Sequence, residues 1–548
     1  MFGTNFRNGN RVAQCEMCRR CVCASSRSSL QSPHALTLIE MLIGMAITLV
    51  MMAAVVNLFA NIGQSVRTRR AGMEMNGQLR MARSRLYKDL AGATCPAKPW
   101  REPGNDEGYL EIIEGKWSDK VPSLLVDGVD NGLASANPEL DYASSLIPSG
   151  GDPNLLPPVV GTPNAVTNGY GLGDYDDILA LTVRSESEPF VGRALVWDSI
   201  DRLWVERTIE SNLAEVIWYA VENPADGSLG EPGMRTVYRR VLLIAPWVEL
   251  PYLEDFGQAT PDLNALAFTL AFDISARVSS SGQLIPNTLS DLTKRENRFA
   301  HRLSSSPPNL GWPFAVDQRP FRQLSYDPLS PPADVLGPFR PFGAPFEPAL
   351  NHTVPIGPFP ERDGEDVMLS DVLAFDLRVF DPGAPLFEYA GTIVEPVSDN
   401  VFATVVSRNT PVGYGTYVDL GWDDNYDYDY TVYAAPVPQP LFQEERLAGW
   451  HPRVPLPYRG TPAVYDTWST HYESDGIDQD DLTDEDAGTD QGTNGFDDDG
   501  LHGTDDVGER ETSPPYDVPL SGMQVKFRIY ERDTRQIREA TVTKNFSD

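Results

Sequence analysis

The hydrophobic pattern of the chain changes several times, and each change marks an expected element. Residues 1–35 are polar and basic, with no apolar periodicity. Residues 36–60 then form an apolar stretch of 25 residues in which Glu40 is the one charge. At about 1.5 Å per residue, a helix of that length spans the roughly 30 Å hydrocarbon core of a bilayer. The stretch exceeds the apolar part of a secretory signal peptide, so a retained membrane helix is expected. Residues 61–92 contain no proline, and Ile62, Val66, Met73, Leu79, Leu86 and Leu90 recur at near-helical spacing. Arg67, Arg69, Arg70, Arg80, Arg83, Arg85 and Lys88 occupy the other faces. The two stretches together predict one helix from Leu36 to about Leu90, roughly 80 Å long. Gly63, Gly72 and Gly77 each weaken it by about 1 kcal/mol and are the expected places for a bend.

Beyond Ala93 the pattern turns to alternation and turns. Strands are expected at 176–184, 214–221, 235–244, 268–278 and 372–380, with a terminal hairpin of 523–530 and 536–543. The second and third flank a Pro/Gly/Asp-rich loop, as in a hairpin. In 372–380, Leu373, Phe375, Leu377 and Val379 alternate with Ala374, Asp376 and Arg378, which predicts a half-buried strand. Residues 307–360 contain 14 prolines interleaved with phenylalanines, which excludes a central strand or helix and predicts an ordered surface insertion. The expected fold class is α+β: a long N-terminal helix followed by a large β-rich head with insertions. The segments are 1–35, a basic leader; 36–60, the membrane helix; 61–92, its amphipathic extension; 93–300 and 366–472, the β-rich head; 301–365, the proline-rich insertion; 473–511, an acidic cassette; and 512–548, the hairpin.

Charge changes this picture by its placement. The 548 residues carry 44 Lys and Arg against 78 Asp and Glu, a formal net charge of −34. That balance argues against nucleic-acid binding, which needs phosphate-contacting cations. With 10% aromatic residues the chain can build a sizeable core. The leader is net +4 and holds Cys15, Cys18, Cys21 and Cys23. Their spacing allows a metal site, but no second ligand cluster follows; a translation start downstream of them is the other reading. Cys95 is the one cysteine beyond the leader, so rigidity there must come from packing or metal.

Ala35-Leu36-Thr37-Leu38-Ile39-Glu40 resembles the processing site of type IV prepilins and type II secretion pseudopilins. The family pattern usually has glycine before the cut and phenylalanine after it; here alanine and leucine stand there. The resemblance implies cleavage between Ala35 and Leu36 by a prepilin peptidase and N-methylation of Leu36. It also implies that Glu40, fifth in the mature chain, neutralises the terminal amine of a neighbouring subunit during assembly. A lone membrane carboxylate costs about 2.5 kcal/mol or more, so a paired one is tolerated where an unpaired one is not. Implied partners are the peptidase, other pilins or pseudopilins through the N-terminal helix, and the membrane. Implied localisation is single-pass in the inner membrane, with the leader inside and the head in the periplasm or on the cell surface, on a pilin-like stalk-and-head fold. Glu215-Val-Ile-Trp-Tyr219 with Val237-Tyr-Arg-Arg240 is similar to paired strands in the heads of J-type minor pseudopilins.

From Asp475 to Glu509 there are 12 aspartates, two glutamates and no lysine or arginine. Calcium takes six to eight oxygens, and loops of alternating Asp, Asn and Gly supply them. The candidate ligands are Asp475, Asp478, Asp480, Asp484, Asn494, Asp497, Asp499 and Asp505, with Ile477, Leu482, Phe496 and Leu501 expected to tie the loop to a core. The two halves resemble the Asp/Gly calcium repeats of thrombospondin type 3 and dockerin-like modules, and they depart from a strict EF-hand at its first and last positions. A solvated acidic loop without metal is the other reading. Asp423-Asp-Asn-Tyr-Asp-Tyr-Asp-Tyr430 predicts a strand with one tyrosine face.

The expected function is that of a cleaved, methylated minor pseudopilin or minor pilin in a type II secretion or type IV pilus-like filament. The alternative is a calcium-dependent surface adhesion protein exported by the same signal. No phosphate-binding glycine loop, H-E-x-x-H or G-x-S-x-G motif is present, so neither an enzyme nor a small-molecule substrate is expected.

Overall fold

The computed structural model describes residues 37–114, 177–200, 203–222, 234–251, 268–269, 272–279, 283–301, 366–396, 410–422, 437–443, 463–476, 490–498, 500, 502–531 and 536–546. The expected leader, the proline-rich insertion 307–360 and the Asp/Tyr run 423–430 lie outside them. Helix α1 (Leu38–Ala91) is 54 residues long and passes through Gly63, Gly72 and Gly77 without interruption. The chain divides into two compact units within this helix, between Val66 and Arg67.

In the first unit, every described residue is exposed. Leu42, Ile43, Ile47, Leu49, Val50, Val56 and Phe59 present apolar side chains on all sides. An apolar surface around the whole circumference of a helix is the signature of a buried or membrane-spanning segment. Among the described residues, α1 is one helix long and apolar enough to cross a membrane.

The second unit is built on an antiparallel sheet. Its strands are β1 (Leu110–Ile113), β2 (Ile178–Arg184), β5 (Leu213–Glu222), β6 (Arg235–Leu243), β9 (Val367–Tyr389), β10 (Thr392–Val394), β11 (Gly413–Val418), β12 (Val464–Asp466), β13 (Gly522–Glu531) and β14 (Gln536–Asn545). The order is β12-β1-β2-β5-β6-β9-β13-β14, with β10 and β11 also on β9. Two hairpins stand apart from this sheet: β3 (Phe190–Asp198) with β4 (Leu203–Ser211), and β7 (Ala276–Val278) with β8 (Leu284–Pro286).

The sheet is covered on both faces. Leu110, Ile112, Leu179, Leu181, Val216, Trp218 and Phe527 pack with Met75, Leu79, Ala82, Leu86 and Leu90 of α1. The alternate residues Ile113, Ile178, Ala180, Ile217 and Tyr219 pack with Leu289, Leu292 and Phe299 of the segment that carries helix α2 (Leu289–Leu292). Successive side chains of a strand point to opposite faces, so two covered faces need near-continuous apolar runs. For the same reason Leu373–Val379 is not half-buried: Asp376 and Arg378 are as enclosed as their apolar neighbours. They remain inside because Arg378 Nη2 lies 2.7 Å from Asp376 Oδ2 and Lys526 Nζ lies 3.0 Å from the same oxygen.

The expected hairpins form. β5 pairs with β6 from Ala214↔Leu243 to Glu222↔Arg235, and β13 pairs with β14 from Gly522↔Asn545 to Glu531↔Gln536. The expected strand at 268–278 shrinks to β7. Phe268 and Thr269 are helical, and the carbonyls of Thr269 and Phe272 accept from Arg240 Nη2 at 2.6 and 2.7 Å. These carbonyls are turned to a buried guanidinium, which the helical turn at 268–269 allows.

The helix seats on the sheet through the second half of the expected stripe, Leu79, Leu86 and Leu90, joined by residues the stripe did not include. Ile62, Val66 and Met73 are exposed, whereas Gly72, Met75, Leu79, Ala82, Leu86, Asp89 and Leu90 are buried. Asp89 is 2% exposed. Its Oδ2 accepts from Trp218 Nε1 at 2.9 Å and Arg239 Nε at 2.6 Å, and its Oδ1 accepts from Arg239 Nη2 at 2.6 Å. Removing one partner of a buried ion pair strands the other charge, at a cost of about 3–5 kcal/mol. Asp89→Ala is therefore expected to lower the stability of the head by that amount, measured by urea unfolding followed through tryptophan fluorescence. Arg80→Ala, on an exposed face, is expected to change it by less than about 0.5 kcal/mol.

Candidate assembly site and acidic cassette

Ala35 and Leu36 lie outside the described residues. Glu40 sits in the first turn of α1. Its Oε2 accepts from the backbone N–H of Thr37 at 2.8 Å and from Thr37 Oγ1 at 3.0 Å, while Glu40 N–H donates to Thr37 Oγ1 at 3.4 Å. This reciprocal pair is a capping box, which satisfies donors left without partners at a helix start. Glu40 thus has a partner within its own chain. The Thr-x-x-Glu spacing is the sequence signal of this box.

In the described part of the cassette, carboxylates supply the anchoring contacts, and Phe496 does not. Phe496 is 69% exposed, and Ile477, Leu482 and Leu501 lie outside the described residues. Glu473, Glu509 and Glu511 are buried instead. Glu473 accepts from Glu511 N–H at 2.8 Å, Thr512 N–H at 3.2 Å and Thr512 Oγ1 at 2.5 Å. Glu511 Oε1 accepts from Gln491 N–H at 3.1 Å. Glu509 takes Asp498 N–H at 2.5 Å and Asp506 N–H at 3.1 Å. Trp468 below the loop donates its indole N–H to Thr512 Oγ1 at 3.1 Å. Burial pushes the Glu473 carboxyl above the ordinary carboxylate range, and the bonds from Thr512 and Glu511 oppose that shift.

Of the candidate calcium ligands, Asp475, Asn494, Asp497 and Asp505 are described; Asp478, Asp480, Asp484 and Asp499 are not. Two of the described four serve the loop itself. Asn494 Oδ1 accepts from Phe496 N–H at 2.7 Å, and Asp505 Oδ1 accepts from Gly495 N–H at 2.9 Å. Among the described residues, no group of three or more His, Cys, Asp or Glu side chains is arranged to hold a metal ion.

A third polar constellation was not foreseen. Glu111 and Asp466, on adjacent strands, face Arg295, Arg298 and His301. Arg295 Nη2 lies 2.5 Å from Glu111 Oε1, and Arg298 Nη1 lies 2.9 Å from both Glu111 Oε2 and Asp466 Oδ2. Burial works against the Glu111 carboxylate, but Arg295, His301 and Arg298 hold it well below its usual range. The Arg298 guanidinium also lies 4.1 Å from the Tyr109 ring centroid, a cation–π contact. All four charged partners are at most 1% exposed at their side chains, so the cluster offers no surface to a substrate. It fastens residues 289–301 to the sheet. Cys95 is also buried, and burial pushes its thiol up to about 12, away from the thiolate form that reacts.

Compared with family models, curated proteins and solved structures, the chain matches none of them.

Glu473→Ala would leave three donors without an acceptor in a closed site. An unsatisfied buried donor costs about 1–3 kcal/mol. The substitution is expected to lower stability by at least about 2 kcal/mol in urea unfolding, and Thr512→Val by about 1 kcal/mol.

Proposed function

We propose that this chain is a prepilin-type subunit, anchored by α1, that is cut between Ala35 and Leu36, methylated at Leu36 and built into a type II secretion or type IV pilus-like filament as a minor component. The observation that carries this reading is the junction of the apolar helix with its one acid. Residues 38–66 expose apolar side chains all round, and Glu40 stands in the first turn, five residues after Ala35. The bilayer receives such a helix before assembly, and the helices of neighbouring subunits receive it afterwards. Both environments exclude water, so no rearrangement of the helix is needed between them.

Within this reading Glu40 has two successive roles. In the lone subunit Thr37 holds it, which lowers the cost of a carboxylate near the membrane. In the filament it pairs with the methylated amine of a neighbouring subunit. The head faces the periplasm or the exterior, and a bulky head favours a terminal position, because it is difficult to repeat along a helical lattice. The function is one of assembly and has no catalytic step. The cassette enters as a calcium-holding loop. Its support is the Asp/Gly alternation, together with a base already fixed by Glu473, Glu509 and Glu511.

Mass spectrometry of the purified protein tests the central step. The expected N-terminus is a monomethylated Leu36; an uncut N-terminus or a cut elsewhere overturns the reading. Glu40→Val is expected to leave cleavage intact and to reduce incorporation into cross-linked multimers at least tenfold. For the cassette, isothermal titration of the full chain in detergent is expected to show saturable calcium uptake at or below millimolar concentration. Its absence removes calcium and leaves the membrane reading untouched.

A further inference from the structure

At the end of the sheet where β1 stops and β2 starts, carboxylates meet in the interior. Glu114 follows β1 and Asp177 precedes β2, one step beyond the last pair of their ladder, Ile113↔Ile178. Asp376 comes from the middle of β9 and Asp419 follows β11. The four are 4, 0, 0 and 3% exposed. The cations that join them are Arg378 of β9 and Lys526 of β13. Both engage Asp376, at 2.7 Å from Arg378 Nη2 and 3.0 Å from Lys526 Nζ, and Arg378 Nε reaches Asp419 Oδ1 at 3.5 Å. Asp177 Oδ2 accepts from Leu377 N–H at 2.7 Å.

Glu114 takes part in no ion pair among the described residues. Its Oε2 accepts from Leu420 N–H at 3.0 Å. Its Oε1 is buried and has no hydrogen-bond partner among the described residues. A carboxylate oxygen in that position faces a loss of hydration with nothing in return, beside other negative charges. A carboxylic acid in the same position is different, because its O–H can donate to a neighbouring carboxylate.

We infer that Glu114 is a proton-binding site of the head: its carboxyl carries a proton at neutral pH, donates it to a neighbouring carboxylate, and in doing so clasps the ends of β1 and β2 to β9 and to the turn after β11. Loss of the proton to solvent places a further negative charge beside Asp177, where β1 ends and β2 starts, and loosens the clasp. The electrostatics agree in direction. Burial, then Asp177 and Asp419, push the Glu114 carboxyl well above the ordinary value of 4.5; the Leu420 N–H opposes them, and Asp376 adds to the rise.

The sign of the pH dependence follows. A group that binds its proton more tightly when folded costs stability as pH rises above the unfolded value, and this loss levels off above the folded value. The test compares the full chain with Glu114→Gln in detergent micelles, by urea unfolding from pH 4 to 9. Gln keeps the acceptor for Leu420 and supplies an N–H in place of the acid O–H. Near pH 4 the two proteins are expected to have similar unfolding constants. As pH rises their ratio is expected to move in favour of the variant by up to tenfold per pH unit, then to level off. Other acids pushed up by burial, such as Glu473 and Glu296, titrate in both proteins and cancel.

Infrared spectroscopy provides a readout that does not depend on the variant folding. The wild-type chain at pH 7 is expected to show a protonated-carboxyl stretch that persists in deuterated buffer. Asp177→Asn, which removes the like charge that raises Glu114 most, is expected to shift the disappearance of that band to lower pH. A ratio that stays flat from pH 5 to 9, or no protonated-carboxyl band at pH 7, overturns the proposal. So does stabilisation of the wild type by calcium at pH 8 that Glu114→Gln abolishes, because a cation would then occupy the place assigned to the proton. None of these readouts involves cleavage or assembly, so they stand apart from the proposed function.

Discussion

The seating of α1 on the sheet depends on one buried interaction, the fork between Asp89 and Arg239 capped by Trp218. An apolar stripe alone would tolerate rotation of the helix or a shift by one turn, since Met75, Leu79, Leu86 and Leu90 recur at helical spacings of four and seven. A carboxylate with three donors at fixed angles does not tolerate it. Such pairs contribute little net stability over an apolar substitute, but they select one arrangement among several of similar packing. With Asp89 placed, Ala82, Leu86 and Trp218 share one core, and the Trp218 and Phe527 ring centroids lie 6.1 Å apart, so the choice is transmitted to the β13–β14 hairpin.

What the sequence made legible is what periodicity encodes. The apolar span, β2, β5, β6 and the β13–β14 hairpin stand out because their patterns are local. The alternation in 372–380 was legible as a strand, but its burial was not. Asp376 and Arg378 read as a solvent face until Lys526, some 150 positions later, completes their pairing. Asp89 and Glu111 carry no local signal of burial, since their partners Arg239 and Arg295 are distant in the chain. Phe496 misled in the opposite direction: a lone aromatic in an acidic loop suggested an anchor, whereas the anchors are glutamates that collect backbone N–H groups. At the N-terminus, the pairing of Thr37 with Glu40 needed only three residues of context.

The net charge of −34 takes on a different meaning with these contacts in place. Part of the acidity lies in the interior, where Asp89, Glu111, Asp376 and Asp466 serve as acceptors for arginine and lysine. Another part holds loop backbone in place at the base of the cassette. Acidic residues here replace some of the cross-linking that a disulfide would supply, in a chain whose described cysteine, Cys95, is unpaired.

The 23 residues of β9 pair in turn with β6, β13, β11 and β10. Its central residues, Leu373 to Val379, stay unpaired along one edge until β13, more than 140 positions later, arrives. Closing so long a loop is entropically costly and slow, and its reward comes only when the final hairpin docks. Leu373 to Val379 are therefore made long before the strand that completes their edge, and the register between β9 and β13 is chosen only after everything between them has been made.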